Sequence, residues 1–209
     1  MNGMNTNRWG KWLGYVGVLL FTIHYSLFTV SCSEDETGTE EFGNWQERND
    51  AVISQWAANS SLRKIRVYTQ DDTSTGKNSD YIYVEVLASG SGTESPLFTD
   101  TCRVAYRGRL IPSDTYKEGY VFDQSFLGDF DVKTVGVADG ASWVPGFSTA
   151  LQNMHVGDYW RIHIPYDLAY GSSENGTIPA YSNLIFDVYL YDFWSPSVKN
   201  HPKFKARER

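Results

Sequence analysis

The chain has 209 residues, 41% of them hydrophobic, and a formal net charge of −7 at pH 7. This length and hydrophobic content are typical of one folded domain with extensions, and they exclude a chain that is disordered throughout. The negative charge repels phosphate, so we expect no nucleic acid among the partners.

Residues 1–31 have the pattern of an export signal: Arg8 and Lys11 precede a largely apolar run of 19 residues, 12–30. The run ends at Ser31 and Cys32, which resembles the lipoprotein box of bacteria, whose cysteine is acylated and becomes the mature N-terminus. An uncleaved anchor is the alternative, because the run approaches the ~20 residues that span a bilayer. Both interpretations tether the protein to a membrane. We favour an exported lipoprotein on the bacterial outer membrane, facing the periplasm or the cell surface.

Residues 32–43 are rich in Glu, Asp, Ser, Thr and Gly. This composition predicts a flexible tether rather than a packed element. The acidic run also resembles the surface-export tag of some lipoproteins, but a solvated linker is an equally good interpretation.

A helix is predicted over residues 45–62, within an N-terminal helical extension, 44–65. Asn44 is a candidate N-cap with Glu47 three residues on. The apolar residues at approximately helical spacing are Trp45, Val52, Ile53 and Trp56. Such a helix must bury its apolar side, and we expect it to dock on the domain that follows; binding of a separate partner is the alternative.

Strands and turns dominate the next part of the chain. Residues 70–80 are rich in Asp, Thr, Ser, Gly and Asn and predict a loop, and residues 81–86 predict a strand. Cys102 alternates with Val104 and Tyr106 on the inward side of another strand. If Cys32 is acylated, Cys102 has no partner, so we expect a buried, inert thiol.

One short helix then lies between strands. Phe147, Ala150, Leu151 and Met154 recur at helical spacing, and Gly157 ends the pattern. Residues 160–164 and 184–190 alternate between apolar and other residues and predict two strands. The fold class is therefore α+β, an antiparallel curved sheet wrapped around one short helix. Residues 195–209 form a basic C-terminal tail.

Several chemistries lack support in the sequence. The four histidines and the scattered acidic residues show no metal-ligand spacing, so no metal site is predicted. There is no G-x-S-x-G elbow, phosphate-binding glycine loop or dinucleotide fingerprint, which argues against covalent hydrolysis and nucleotide chemistry. We expect no cofactor.

Short motifs in the second half of the chain follow one another in a fixed order. They are RVAYRGRL at 103–110, VFDQS at 121–125, VPGF at 144–147, MHVG at 154–157, IP at 164–165, LAYG at 168–171, IPA at 178–180 and the strand 184–190. In this order and spacing they resemble the FKBP-type peptidyl-prolyl isomerases, whose signature includes V-x-G-W, LAYG and IPP. The resemblance covers residues 66–194, which we take as the isomerase domain.

The resemblance implies a proline pocket, whereas without it the same aromatic residues would be interpreted as ordinary core. Its implied catalytic residues are Tyr170, Asp123 and Phe147, and its substrate-binding residues are Tyr106, Phe122, Val135, Val144, Ile178 and Phe186. Phe147 would form the floor under the proline ring, Tyr170 would donate to a substrate carbonyl, and Asp123 would hold a polar group at the rim. The implied substrates are proline-containing unfolded or exported polypeptides, and we expect a monomer.

Three positions depart from the family pattern. The floor residue is Phe147 where the family usually has Trp, Val135 replaces a flanking Phe, and Ala180 replaces the second proline of IPP. The first change keeps an aromatic floor, whereas the second removes a wall. These departures leave open an alternative function, a peptide-binding module or holdase chaperone without turnover.

Overall fold

The computed structural model describes residues 41–70, 75–125, 133–136, 143–195 and 197, with the backbone alone at 133–136. The predicted signal peptide, Cys32, most of the predicted tether and all but residues 195 and 197 of the C-terminal tail lie outside these ranges. The helices are α1 (Trp45–Ala58) and α2 (Pro145–Leu151), and the strands are β1 (Arg63–Arg66), β2 (Tyr81–Ala88), β3 (Thr101–Leu110), β4 (Val121–Gln124), β5 (Lys133–Gly136), β6 (Tyr159–Ile164) and β7 (Leu184–Trp194). Within the described ranges, no helix has both the length and the apolar character that crossing a bilayer requires.

The seven strands form one sheet in the order β1-β2-β6-β7-β3-β4, and β5 pairs with β3 at the same edge as β4. Every pairing is antiparallel. The two longest strands, β3 and β7, pair from Thr101 opposite Trp194 to Leu110 opposite Leu184. A sheet with one short helix against it confirms the α+β prediction.

Helix α2 lies close against β6 because of a glycine in its first turn. Pro145 begins the helix, where its missing N–H costs no hydrogen bond. A Cβ at Gly146 would lie 2.4 Å from Cγ2 of Ile164, so a larger residue would push the helix off the sheet. The helix runs over residues 145–151 rather than the 147–154 of the apolar pattern, and Met154 is fully buried in the turn that follows.

Helix α1 docks on the same domain, but the prediction for residues 44–65 was wrong in two details. Asn44 is at the N-cap position in the left-handed region, with φ 51°, and its side chain makes no capping hydrogen bond. A capping side chain normally needs an extended backbone at that residue. The helix ends at Ala58, and residues 63–66 form the edge strand β1. The face of α1 toward the domain includes the fully buried polar side chain of Asn49.

Strand β3 carries the buried thiol that its alternation predicts. Cys102 is fully buried, and burial raises the pKa of its thiol to about 12. A thiol with this pKa is almost entirely protonated at neutral pH and is a poor nucleophile. The interpretation of Cys102 as an inert core residue is therefore confirmed.

Candidate functional site

A cavity of about 460 Å³ opens beside the N-terminus of α2. The described residues that line it are Tyr106, Phe122, Asp123, Trp143, Val144, Tyr170, Asn175, Gly176, Thr177, Ile178 and Phe186. They come from β3, β4, the two residues before α2, the loop between β6 and β7, and β7 itself. The site is thus assembled from segments that are far apart in the chain.

Five aromatic rings pack together at this cavity; four of them line it, and the fifth, Phe147, packs behind them. Phe186 contacts Phe122 edge-on at 5.5 Å between ring centroids and Phe147 at 5.0 Å. Tyr106 contacts Phe147 and Phe186, both at 6.1 Å. Trp143 stacks on Phe147 at 4.5 Å. Edge-on and offset stacked rings at these separations attract one another beyond the burial of their area.

The floor of the cavity differs from the prediction. Phe147 is fully buried and is not among the described residues that line the cavity, whereas Trp143, stacked over it, is. An indole therefore presents the aromatic surface to the cavity, with the smaller ring of Phe147 beneath it. Trp143 was missed because it precedes Pro145 in an irregular stretch, where no periodicity indicates the direction of a side chain.

Gly108 makes room for the aromatic pair on β4 and β7. A Cβ at this position would lie 2.5 Å from Cζ of Phe122 and 2.6 Å from Cε1 of Phe186. Real Cβ atoms do not approach ring carbons so closely, so any other residue would displace one of the rings. The glycine in the RVAYRGRL motif thus permits the packing of two lining residues.

Asp123 is held in place by a tyrosine of the neighbouring strand. The Tyr106 hydroxyl donates a hydrogen bond to Oδ2 of Asp123, with 2.5 Å between the oxygens. Hydrogen bonds to an ionised acceptor are among the short, strong ones. Tyr106 is almost fully buried and so gives the carboxylate a firm position at the cavity.

Tyr170 lines the same cavity from the loop between β6 and β7. Burial, and secondarily the charge of Asp123, raise the pKa of its hydroxyl. The hydroxyl therefore stays protonated at neutral pH and can donate a hydrogen bond to a carbonyl oxygen. Ile178 lies in the same loop, where residues 175 and 178 form an isolated bridge.

Five of the six predicted substrate-binding residues line the cavity. Val144, Ile178 and Phe186 line the cavity, as do Tyr106 and Phe122. Val135 pairs with Cys102 through the backbone, and its side chain lies outside the described atoms. Asn175, Gly176 and Thr177 also line the cavity. They were missed because the polar composition of a turn predicts a solvent-exposed loop. No group of three or more His, Cys, Asp or Glu residues in the described ranges could hold a metal ion.

Comparison with protein families and with individual proteins identifies relatives of this chain. A family model described as FKBP-type peptidyl-prolyl cis-trans isomerase matches residues 92–191. The macrophage infectivity potentiator of Trypanosoma cruzi is 43% identical over 123 residues, which are 58% of this chain and 55% of that protein. The FKBP-type 22 kDa peptidyl-prolyl cis-trans isomerase of Escherichia coli is 33% identical over 153 residues, which are 70% of this chain and 67% of that protein.

Solved structures show the same fold. A crystal structure of a peptidyl-prolyl cis-trans isomerase from Pseudomonas syringae matches 73% of this chain and 95% of its own with a TM-score of 0.54. Its sequence is 24% identical, so this likeness concerns the fold alone. The match nevertheless includes nearly the whole of the Pseudomonas chain.

Proposed function

Because the chain belongs to the FKBP-type peptidyl-prolyl cis-trans isomerase family, we propose that it catalyses rotation about X-Pro bonds in the cavity beside α2. The cavity itself is the main support: aromatic rings enclose it, Tyr106 orients an acidic group at it, and Tyr170 can donate a hydrogen bond into it. We propose proline-containing polypeptides, unfolded or in export, as its substrates. We also propose that the protein acts as a monomer.

Rotation of a prolyl bond needs no nucleophile, because no bond breaks. The amide must lose its resonance against a barrier of ~18–20 kcal/mol, and the uncatalysed reaction takes tens to hundreds of seconds. The planar amide is more dipolar than the twisted one. A cavity that replaces the water around the carbonyl with aromatic surface therefore raises the energy of the ground state more than that of the transition state.

The lining residues divide this task. Trp143, backed by Phe147, and the rings of Phe122 and Phe186 enclose the proline ring and exclude water. Tyr170 donates to a substrate carbonyl, and Asp123 accepts from a polar group of the substrate while Tyr106 holds its position. Fixing the substrate on both sides of the rotating bond favours the twisted geometry.

The experiment that tests this proposal is a protease-coupled or refolding assay on a prolyl peptide with the full chain in detergent. We expect isomerisation well above the uncatalysed rate. A chain that binds the peptide but leaves the rate unchanged would instead be a binding module or holdase. The replacement of the second proline of the IPP motif by Ala180 makes this second outcome worth measuring directly.

We further propose that the protein is an exported lipoprotein acylated at Cys32 and held at the outer membrane. The basic residues, the apolar run and the cysteine that directly follows it support this proposal. Cys32→Ser should block processing or release the protein from the membrane fraction. A variant that stays in that fraction with unchanged mass would show an uncleaved anchor.

A further inference from the structure

The loop between β6 and β7, residues 165–183, is called here the pocket loop. It brings Tyr170 and residues 175–178 to the cavity, so its position sets the distance from Tyr170 and Ile178 to the rings of β3 and β7. Within the loop, the N–H of Tyr181 donates to the carbonyl of Gly171 at 2.8 Å. Tyr181 has a left-handed backbone, with φ 59°. Such a conformation persists in a residue other than glycine when its surroundings hold it.

Helix α1 is hydrogen-bonded to both ends of this loop through one asparagine pair. Oδ1 of Asn49 accepts from the N–H of Asn183, and the Asn49 carbonyl accepts from Nδ2 of Asn183, both at 2.8 Å. Oδ1 of Asn183 accepts in turn from the N–H of Tyr166 at 2.9 Å. Both asparagines are fully buried. The pair thus joins the first and last turns of the pocket loop to the helix.

A second link runs from the helix to the lining residues. Nε1 of Trp45 donates to Oγ of Ser182 at 2.8 Å, and the Ser182 hydroxyl donates to the carbonyl of Pro179 at 2.6 Å. Pro179 directly follows Ile178, which lines the cavity. Two hydrogen bonds therefore connect the first turn of α1 to the residue beside the pocket wall.

Docking a helix requires none of these polar groups. Ile53 and Trp56 on the same face of α1 are buried and already supply apolar contact. A buried amide is costly unless every group is paired, whereas paired amides fix one orientation because hydrogen bonds are directional. The polar groups of Trp45 and Asn49 on this face of the helix therefore fix the position of the pocket loop relative to α1.

We propose that α1 is a positioning element of the isomerase site, acting through Trp45 and Asn49 on the pocket loop. This inference rests on the proposed function for its kinetic consequence. Trp45 and Asn49 do not line the cavity, and they act through Ser182 and Asn183. Loosening the loop lowers the fraction of molecules with Tyr170 and Ile178 in place for the substrate.

Trp45→Phe tests the inference, because it keeps an aromatic ring and removes the indole N–H. Trp56→Phe is the matched control, since Trp56 lies on the same face but contacts His163 and Tyr83 instead of the loop. We expect kcat/KM of the full chain for a prolyl peptide to fall about two- to tenfold in Trp45→Phe, the effect of one lost hydrogen bond, and to stay unchanged in Trp56→Phe. Ser182→Ala removes both hydrogen bonds of this link, so it should lower kcat/KM at least as much as Trp45→Phe, and the double variant should lose no more than Ser182→Ala alone.

Hydrogen exchange separates this inference from the proposed function. Amides of residues 171–181 should exchange faster in Trp45→Phe than in Trp56→Phe, whether or not the chain has turnover. Equal exchange in the two variants overturns the positioning role, and so does an equal loss of kcat/KM. If the wild-type chain has no turnover, the isomerase proposal is wrong. Faster loop exchange in Trp45→Phe would still support the link between helix and loop.

Discussion

Phe186 and Asp187 are neighbours on β7 and almost equally buried, at 4% and 1% exposed, yet they lie on opposite faces of the sheet. The inner face, toward α2, places Phe186 among the aromatic rings of the cavity. On the outer face, Nε of Arg161 lies 2.7 Å and Nη2 of Arg109 lies 3.0 Å from the Asp187 carboxylate. Similar burial therefore serves two purposes. The inner residue excludes water from a substrate, and the outer residue neutralises arginines of the neighbouring strands.

The largest effect should follow from truncating the inner residue. Phe186→Ala should lower the free energy of unfolding by about 3–5 kcal/mol and also admit water to the cavity, so kcat/KM should fall as well. Val188→Ala is the control, because Val188 is fully buried on the same face but is not among the described residues that line the cavity. Urea unfolding and a prolyl-peptide assay on both variants would check this. Retained kcat/KM in Phe186→Ala would contradict the role of the inner face.

Removing the outer charge should affect stability alone. Asp187→Asn leaves Arg109 and Arg161 without their shared anion, which should lower the free energy of unfolding by about 2–4 kcal/mol. This cost is less than the ~5 kcal/mol that breaking a fully buried ion pair can reach, because the Arg161 side chain is 34% exposed. Glu85→Gln is the control, because Glu85 is 48% exposed and 3.7 Å from Arg161, and should cost about 0–1 kcal/mol. A loss of kcat/KM in folded Asp187→Asn would show that the two faces are not independent.

The outer face also predicts a dependence of stability on pH. Nδ1 of His163 is buried without a hydrogen-bond partner among the described residues, and Trp56 covers its ring at 4.9 Å. Burial, and secondarily the charge of Arg161, lower the pKa of His163 to about 4. Between pH 6.5 and about 4 the unfolded chain therefore binds more protons than the folded one, so stability falls as the pH falls.

From pH 7 to pH 5 this loss should be about 2 kcal/mol. His163→Gln should abolish that part of the slope while the acidic residues still titrate, so the difference between the two urea-unfolding curves isolates the histidine. Parallel curves for the two proteins would show that His163 titrates normally in the folded state.

The smallest effect should come from one hydroxyl at the cavity. Tyr170→Phe keeps the ring and should fold normally, and losing one hydrogen bond of about 0.5–1.5 kcal/mol should lower kcat/KM about two- to twelvefold. Tyr159→Phe, on the outer face of β6, is the control and should leave kcat/KM unchanged. If Tyr170→Phe, Asp123→Ala and Phe147→Ala all fold and all keep wild-type turnover, the cavity is not an isomerase site.

Alternation along the strands made the fold and much of the site predictable. Tyr106 and Phe186 lie at inward positions of regular strands, where a period of two decides the face. Trp143 lies in an irregular stretch, so its position over Phe147 depends on tertiary packing. Residues 175–177 have a turn composition, and their place at the cavity depends on how the loop folds back.

Polar residues in buried positions were the other group that sequence patterns could not place. Asn49 reads as a solvent-facing residue of a helix, and its partner Asn183 lies 134 residues away in the chain. Asp187 alternates outward like a surface residue, yet arginines from both neighbouring strands cover it. In both cases the burial is set by a partner that only the folded chain brings near.

The buried thiol of Cys102 makes it possible to measure how fast the sheet opens around it. The chain has two cysteines, so Cys32→Ser leaves Cys102 as its single thiol. Because that side chain is fully buried and its pKa is raised to about 12, a thiol reagent in solution can modify it only after the strands around it separate. At high reagent concentration the rate of labelling would equal the rate at which the sheet opens around β3, measured in native buffer without denaturant.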